Sequence, residues 1–451
     1  MENSKKLKPF GMSDKIGYAF GDMGCNFSFQ LVSTYMYLFY TQCIGLSSEH
    51  WAWIIIVSKV WDAINDILIG NMVDRTHLGK KSKFMPWIFI GSIILVVFSI
   101  MIFTPVNNFS EIGKILWCLL SYCMWSVAYT MVNVPYGSLH SVITDDPKQR
   151  TTLSTFRSIG AALPAILVMI LPKIVYKDNV LDEKRIFIVT VVFSVMAFFA
   201  FTAMRKMVTE RVVRENKVEK VSYISTLKSF FTNRAMVGIT IATVAVVIFY
   251  NSSMSVNNLV FQFYFNDAGK STLAMIASYI PLVAFMPFAS SISSKIGKKK
   301  LLTVSGLVSV IAGVVMLILP ITPDNKGIIL YVIGLMFVNT GCCVFQIIVW
   351  AIVADCIEDS YRKKGIREEG SLYALYSFFR KLAQGIGSAL VALSLSSVGY
   401  VETAQQQTTE VSAGIKNLYI ILLIIGLAIM TASMKFIYNI GLKEEQEFNI
   451  H

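Results

Sequence analysis

One short apolar run carries a lysine, two aspartates and an asparagine: Lys59-Val-Trp-Asp62-Ala-Ile-Asn65-Asp66-Ile-Leu-Ile-Gly70, followed by Asn-Met-Val-Asp74-Arg75. The preceding stretch from Trp51 to Val57 is wholly apolar. The segment therefore reads as one membrane-spanning helix with charges in its middle. Residues three and four apart share a helix face, so Lys59, Asp62, Asn65 and Asp66 form one polar stripe. An ionised side chain near the bilayer centre costs at least about 2.5–3.5 kcal/mol, and two carboxylates one turn apart repel. A bound cation, a shared proton or a fixed basic partner must offset that cost. Asp62 and Asp66 supply hard oxygens and Asn65 a neutral carbonyl, which suits Na⁺, Li⁺ or a proton. The competing reading is a structural salt bridge from Lys59 that helps helices pack. The coupling-ion site is the preferred one.

Other polar residues recur inside apolar runs. Tyr18, Gly21-Asp22, Asn26 and Gln30 lie in the first, where Asn26 and Gln30, four apart, present amides to one side. Such amides suit sugar hydroxyls, and equally they glue helices together. The fourth run holds Trp125, Tyr129, Thr130, Asn133 and Pro135-Tyr136-Gly137. An aromatic surface beside an amide can hold a sugar, although these aromatics are also ordinary packing residues. Asp145-Asp146 and Arg150 follow as a gate or a solvated turn. Arg157 in the fifth run is either a carboxylate partner or a substrate clamp. Farther on come Asn339, Gln346, Trp350 and Asp355, then Tyr373, Tyr376, Arg380, Lys381 and Gln384. Lys381 lies half-way along its run with no acidic residue in helical reach. It is expected to point toward the Asp62–Asp66 cluster across the domain interface, unless its stem carries the ammonium out to the membrane surface.

These residues need a scaffold of spans. The chain has 451 residues, 55% of them hydrophobic and only 15% charged, with mean hydropathy +0.61. Soluble domains carry about 25% charged residues, so a soluble enzyme is excluded and a polytopic all-α membrane protein expected. Windows of about 20 apolar residues recur twelve times, near 16–44, 48–74, 84–104, 112–140, 151–175, 186–206, 235–264, 271–293, 300–320, 326–354, 369–396 and 415–440. The first, second, fourth, seventh, tenth and eleventh carry most polar residues and are expected to line an interior. The third, sixth, ninth and twelfth are more uniformly apolar and are expected to face lipid. The polar interruption around Arg205 to Arg234 divides the chain near its midpoint. The expected domains are a six-helix bundle over 1–206, a cytoplasmic middle loop over 207–234, a second six-helix bundle over 235–440 and a cytoplasmic tail over 441–451.

The formal charge of +12 reflects basic residues in short segments between spans. The positive-inside rule explains this more simply than nucleic-acid binding does. It places both termini in the cytoplasm, on the inner face of the cell membrane, with no removable signal peptide expected. The seven cysteines lack CxxC spacing, so neither a disulfide framework nor a zinc site is indicated. No ATP cradle, His-Glu-x-x-His or Gly-x-Ser-x-Gly occurs, and the chain reads as no enzyme.

Lys59-Val-Trp-Asp62-Ala-Ile-Asn65-Asp66, Asp74-Arg75 with Gly79-Lys80 and Lys83-Phe84-x-Pro86-Trp87, Thr130-x-x-Asn133-x-Pro135-Tyr136, Val353-Ala354-Asp355 and the Lys381 span together resemble the glycoside–pentoside–hexuronide:cation symporters. The loop after Gly70 also resembles the Gly-xxx-Asp-Arg-x-Gly-Arg-Lys motif of the major facilitator superfamily, loosened by two residues. The likeness runs from about residue 10 to 440. It implies a 6+6 pseudo-two-fold helical fold, a lipid-bilayer setting, a small sugar or glycoside as partner, and Na⁺ or H⁺ as coupling ion with no cofactor. It also implies Asp62, Asn65, Asp66 and Thr130 as cation ligands, with Lys381 near them. Sugar contacts map to Asn26, Tyr129, Asn133, Gly137 and Arg157, and more loosely to Trp350, while Gln30 adds its amide beside Asn26. Melibiose-type members carry carboxylates at the positions of Asn26 and Asn133 and a tryptophan at Gly137. Gly21-Asp22-x-x-x-Asn26-Phe27 is closer to the pentoside and glucuronide branch. The expected function is cation-coupled import of a pentoside, glycoside or hexuronide by alternating access. The alternatives are a proton-coupled exporter of apolar solutes on the same fold, and a sensor that binds without transporting.

Overall fold

In a bilayer, backbone N–H and C=O groups find partners only within the chain, so apolar runs of this length close into helices. The computed structural model describes residues 8–75, 82–144, 146–211, 223–364 and 369–441. Its long helices are α1 (Met12–Leu38), α2 (Ser48–Arg75), α3 (Met85–Ile102), α4 (Glu111–Ile143), α5 (Pro147–Ile170) and α6 (Glu183–Met207). Then come α7 (Arg234–Tyr264), α8 (Ala268–Phe288), α9 (Lys298–Ile318), α10 (Asn325–Lys364), α11 (Glu369–Ser397) and α12 (Thr409–Ala432). Each coincides with one of the twelve expected windows. Among the described residues eight are long and apolar enough to cross a membrane by composition alone. The remaining four, α1, α2, α5 and α11, are those interrupted by Asp22, by Lys59 to Asp66, by Arg157 and by Arg380-Lys381. Span-like length with charges inside is the pattern of a helix that carries function.

The chain forms two compact units, Met1–Lys217 with α1–α6 and Val218–His451 with α7–α12. Exposed apolar residues run in helical stripes on the uniformly apolar helices. They are Ile188, Val192, Val195 and Phe199 on α6, and Val304, Val308, Ile311, Val315 and Ile318 on α9. Spacings of three and four make each stripe one face. Helix α2 also has such a face, through Trp53, Val57, Val60, Ile64, Leu68 and Met72, opposite its polar stripe. It is thus apolar on one side and charged on the other, rather than uniformly interior-facing.

In the N-terminal unit α1 packs on α5 and α6, α3 on α4 and α6, and α2 on α4. Gly160 of α5 lies directly on the Ala19 carbonyl of α1, where any Cβ would overlap it. Gly160→Val is therefore expected to force α1 and α5 apart and to lower the unfolding midpoint in detergent by several degrees, since overpacking costs about 1–3 kcal/mol. Gly137→Ala is the control, because a Cβ there meets nothing within 4 Å. Equal melting of the two variants would rule out the close approach.

One face of this unit is knotted by the segment after α6. The Glu210 carboxylate accepts from the N–H groups of Lys83 (2.8 Å), Phe84 (3.0 Å) and Met85 (2.9 Å) and so caps α3. Arg211 forks onto both oxygens of buried Asp14 at 2.9 Å, the bidentate geometry that guanidinium favours. Between α5 and α6 a hairpin pairs Tyr176 with Leu181 and Lys177 with Val180. Its turn residues Asp178 and Asn179 have φ of 49° and 63°, as a tight mirror-image turn requires.

In the C-terminal unit α9 packs on α10 and α12, and α8 on α10. Helix α7 is α-helical at Arg234–Ala245 and Met254–Leu259 and loosens into π-turns at Val246–Asn251 and Val260–Tyr264. A helix at Tyr223–Thr232 stands where the sequence reading expects middle loop; its Phe230 is buried and stacks on Phe379 at 5.6 Å. Gly79, Lys80, Lys81, Asp145 and residues 442–451 lie outside the described residues, as do the side chains of Asp74, Arg75 and Arg150.

Candidate functional site

Two polar stripes run side by side on α4, each with a spacing of four. Tyr122, Ser126 and Thr130 form the first; Trp125, Tyr129, Asn133 and Gly137 form the second. Residues at this spacing stack along one helix face.

The first stripe meets the charged face of α2. Lys59 Nζ donates to Asp62 Oδ2 at 2.9 Å and to the Tyr122 hydroxyl at 2.7 Å. The Ser126 hydroxyl donates to the other Asp62 oxygen. One turn on, Asn65 Nδ2 donates to Thr130 Oγ1 at 3.0 Å, and Thr130 Oγ1 donates to Asp66 Oδ1 at 3.0 Å. Asn65 and Thr130 are buried, whereas Asp62 and Asp66 are only partly so. The seam gathers two carboxylates, an amide and a hydroxyl within about one helical turn of α2, a donor set that suits a single monovalent cation or a single proton. Among the described residues no group of three or more His, Cys, Asp or Glu could hold a metal ion. A cation here would therefore draw on amide and hydroxyl oxygens as well as carboxylates.

The second stripe meets α1, and the adjoining Tyr136 meets α5. Tyr18, Asp22, Asn26 and Gln30 are themselves spaced by four on α1. Arg157 Nε donates to Asp22 Oδ1 at 2.9 Å, and its guanidinium lies 5.2 Å from the Tyr136 ring centre. Asn26 Nδ2 donates to the Asp22 carboxylate and carbonyl, both at 2.9 Å, and Gln30 Nε2 donates to Asn26 Oδ1 at 3.4 Å. Between the two stripes runs an aromatic ladder. Tyr122 stacks on Trp125 (5.4 Å), Trp125 on Tyr129 (5.2 Å) and Tyr129 on Phe29 of α1 (5.5 Å). Trp125 Nε1 donates to Ser28 Oγ at 2.7 Å. Tyr122 thus touches Lys59 at one end of a continuous chain whose other end is the helix that bears Asn26 and Gln30.

The C-terminal unit has its own polar cluster. Trp350 of α10, 44% exposed, lies near Tyr373 and Tyr376 of α11 at 6.2 and 6.1 Å. The Arg380 guanidinium sits 5.2 Å from the Trp350 ring centre. Lys381, on the same helix, is exposed. Asp355 of α10 is paired with Lys298.

Residues 17–441 match the family of MFS, or major facilitator superfamily, sugar transport proteins. The chain belongs to that family. It is a membrane transporter and not an enzyme. The uncharacterised symporter YjmB of Bacillus subtilis is 31% identical over 98% of this chain and 94% of its own length. The glucuronide carrier protein homolog of Escherichia coli is 28% identical over 89% and 87% of the two chains. The crystal structure of a D-xylose–proton symporter superposes with a TM-score of 0.67, covering 96% of this chain and 98% of that one at 12% identity, which bears on the fold alone. The likeness to the glycoside–pentoside–hexuronide:cation symporters is upheld.

In this MFS sugar transporter α2 and α4 bring Asp62, Asn65, Asp66 and Thr130 together, and α1 and α5 bring Asn26, Gln30 and Arg157 together. Asn133 and Gly137 share the Tyr129 stripe. Trp350 and Lys381 belong to the other unit. The structure places Arg157 against a carboxylate, Asp22. It also realises the salt bridge of Lys59 with Asp62, while Asp66 accepts from Thr130. Sequence reasoning passed over Ser126 and Tyr122, although their spacing from Thr130 is visible. The signal is weak because serine and tyrosine are common on packing faces.

Proposed function

We propose that this transporter takes up one monovalent cation with a neutral pentoside or glycoside, and that Asp62, Asn65, Asp66 and Thr130 hold the cation. The convergence of Asp62, Asn65, Asp66 and Thr130 at the α2–α4 seam carries this reading. A cation there relieves the repulsion between the carboxylates and tightens α2 against α4. The aromatic ladder passes that tightening to Asn26, Gln30, Tyr129 and Asn133, which bind sugar hydroxyls and ring faces beside Gly137; Trp350 is carried as a further substrate-binding residue. Cation and sugar affinities are then reciprocally linked, as any coupling free energy must be. Lys381 is carried as a further member of the cation-binding set. The arrangement of six-helix bundles over 1–206 and 235–440, with both termini cytoplasmic, follows from the distribution of lysine and arginine.

The neutral substrate rests on Asp22, which cancels the charge of Arg157 (2.9 Å). A hexuronide is the second reading, favoured by the name of the Escherichia coli relative; its carboxylate would have to meet Arg380 beside Trp350.

Uptake of labelled xylosides, galactosides and glucuronides into reconstituted vesicles tests both. Stimulation of one neutral glycoside by an inward Na⁺ gradient is the expected result, and stimulation by a pH gradient alone makes the aspartates proton carriers. Accumulation of glucuronides only selects the second reading. No accumulation under either gradient, with proton-driven dye efflux, would return the exporter.

A further inference from the structure

Away from these polar ladders, the start of α9 and the π-turn that follows α12 (Ser433–Ile437) border an open, largely apolar groove of about 300 Å³ formed by Gly297, Thr303, Val304 and the stems of Lys299, Lys300 and Lys435. Among the described residues none of its three lysines has an ion-pair partner, and the nearby carboxylate of Asp355 is taken by Lys298. Gly297, at φ 82°, begins α9 with no side-chain cap. The first-turn N–H groups and the positive end of the helix dipole therefore add to the field of the lysines.

Below this basic mouth the surface turns apolar. Val304, Val308, Ile311, Val315 and Ile318 descend α9 as one exposed stripe, and Phe436, 64% exposed, adjoins Lys435. A cluster of cations at the end of a membrane helix, continuous with an apolar stripe along it, matches the outline of an anionic phospholipid. The phosphate meets the ammonium groups and an acyl chain lies along the valines and isoleucines. A free phosphate or an acidic peptide would use the lysines and leave the stripe without a role.

We propose that this groove seats an anionic membrane phospholipid, its acyl and glycerol portion in the apolar groove and its phosphate at the rim bearing Lys299, Lys300 and Lys435, apart from the transport pathway. Native mass spectrometry of the detergent-purified full chain, titrated with phosphatidylglycerol or phosphatidylcholine, tests it. Phosphatidylglycerol is expected to bind in preference to phosphatidylcholine. The Lys299→Gln/Lys300→Gln/Lys435→Gln variant is expected to lose about fivefold in affinity per lysine, on the order of a hundredfold in all. The corresponding triple Arg variant keeps the charges and is expected to bind as the parent does, which separates loss of the site from loss of the fold. Undiminished phosphatidylglycerol binding by the Gln variant overturns the proposal. So does displacement of the lipid by millimolar inorganic phosphate, which marks a phosphate site. A third overturning result is binding that appears only when residues 442–451 are deleted, which makes the chain's own Glu444, Glu445 and Glu447 the occupants.

Discussion

Asp66→Ala is expected to cut cation-stimulated sugar accumulation in reconstituted vesicles by at least about tenfold, inside the 5–150-fold span of ordinary coupling free energies, while sugar exchange down its own gradient persists. The geometry explains the split. Asp66→Ala removes the carboxylate that meets Thr130, while Lys59 and Asp62 stay paired at 2.9 Å. The ladder from Tyr122 to Tyr129 and the amides of α1 are untouched, so sugar can still bind. Lys59→Met is the opposite perturbation. It removes the ammonium that Asp62 meets and is expected to tighten the cation several-fold and slow its release. Apparent cation affinity read from uptake at graded Na⁺ or pH separates the two variants. Cation stimulation unchanged in Asp66→Ala would remove Asp66 from the site and return the α2 stripe to a purely structural salt bridge.

The second large effect is expected at Arg157. Its partner Asp22 exposes only 8% of its side chain, against 43% for Arg157, so the arginine reaches water more readily than the aspartate can. Arg157→Ala would strand a carboxylate whose remaining support is the Asn26 amide at 2.9 Å. Removing one member of a buried pair costs about 3–5 kcal/mol. At roughly 2–4 °C per kcal/mol for units of this size, the unfolding midpoint in detergent should fall by on the order of 10 °C. Asp22→Asn combined with Arg157→Gln leaves no charge to bury and should recover most of that loss. A normal midpoint for Arg157→Ala, with transport abolished, would make Arg157 a substrate clamp after all.

Both expectations depend on which charge faces which, and that information is unevenly written in the chain. Helix positions were legible because twenty-odd apolar residues in a row leave the backbone one way to satisfy its hydrogen bonds. The first, second and eleventh runs, broken by charge, were legible as polar helices for the complementary reason, since such charges are too costly to persist without a role; the fifth, broken by Arg157, was not among the six expected to line an interior. Local spacing also assigned faces correctly, since Lys59, Asp62, Asn65 and Asp66 share a turn geometry that needs no tertiary information.

Partner choice between helices was beyond that reach. Spacing alone permits Lys59 to pair with Asp62, Arg157 to clamp a sugar, and Ser126 to be mere packing. The tertiary structure seats Tyr122, Ser126 and Thr130 of α4 against α2, and turns Arg157 of α5 onto Asp22 of α1. Rotation and depth of those helices are set by distant close approaches, such as Gly160 beneath the Ala19 carbonyl and Gly24 against the Phe201 ring. The sequence by itself determined how many spans the protein has, which of them carry charge and on which face. Spacing within α2 already offered Lys59 to Asp62. Only the packing of α4 against α2 decided that the Ser126 hydroxyl meets Asp62 and the Thr130 hydroxyl meets Asp66, because helical periodicity orients a residue about its own axis and says nothing of the neighbour it will find on another helix.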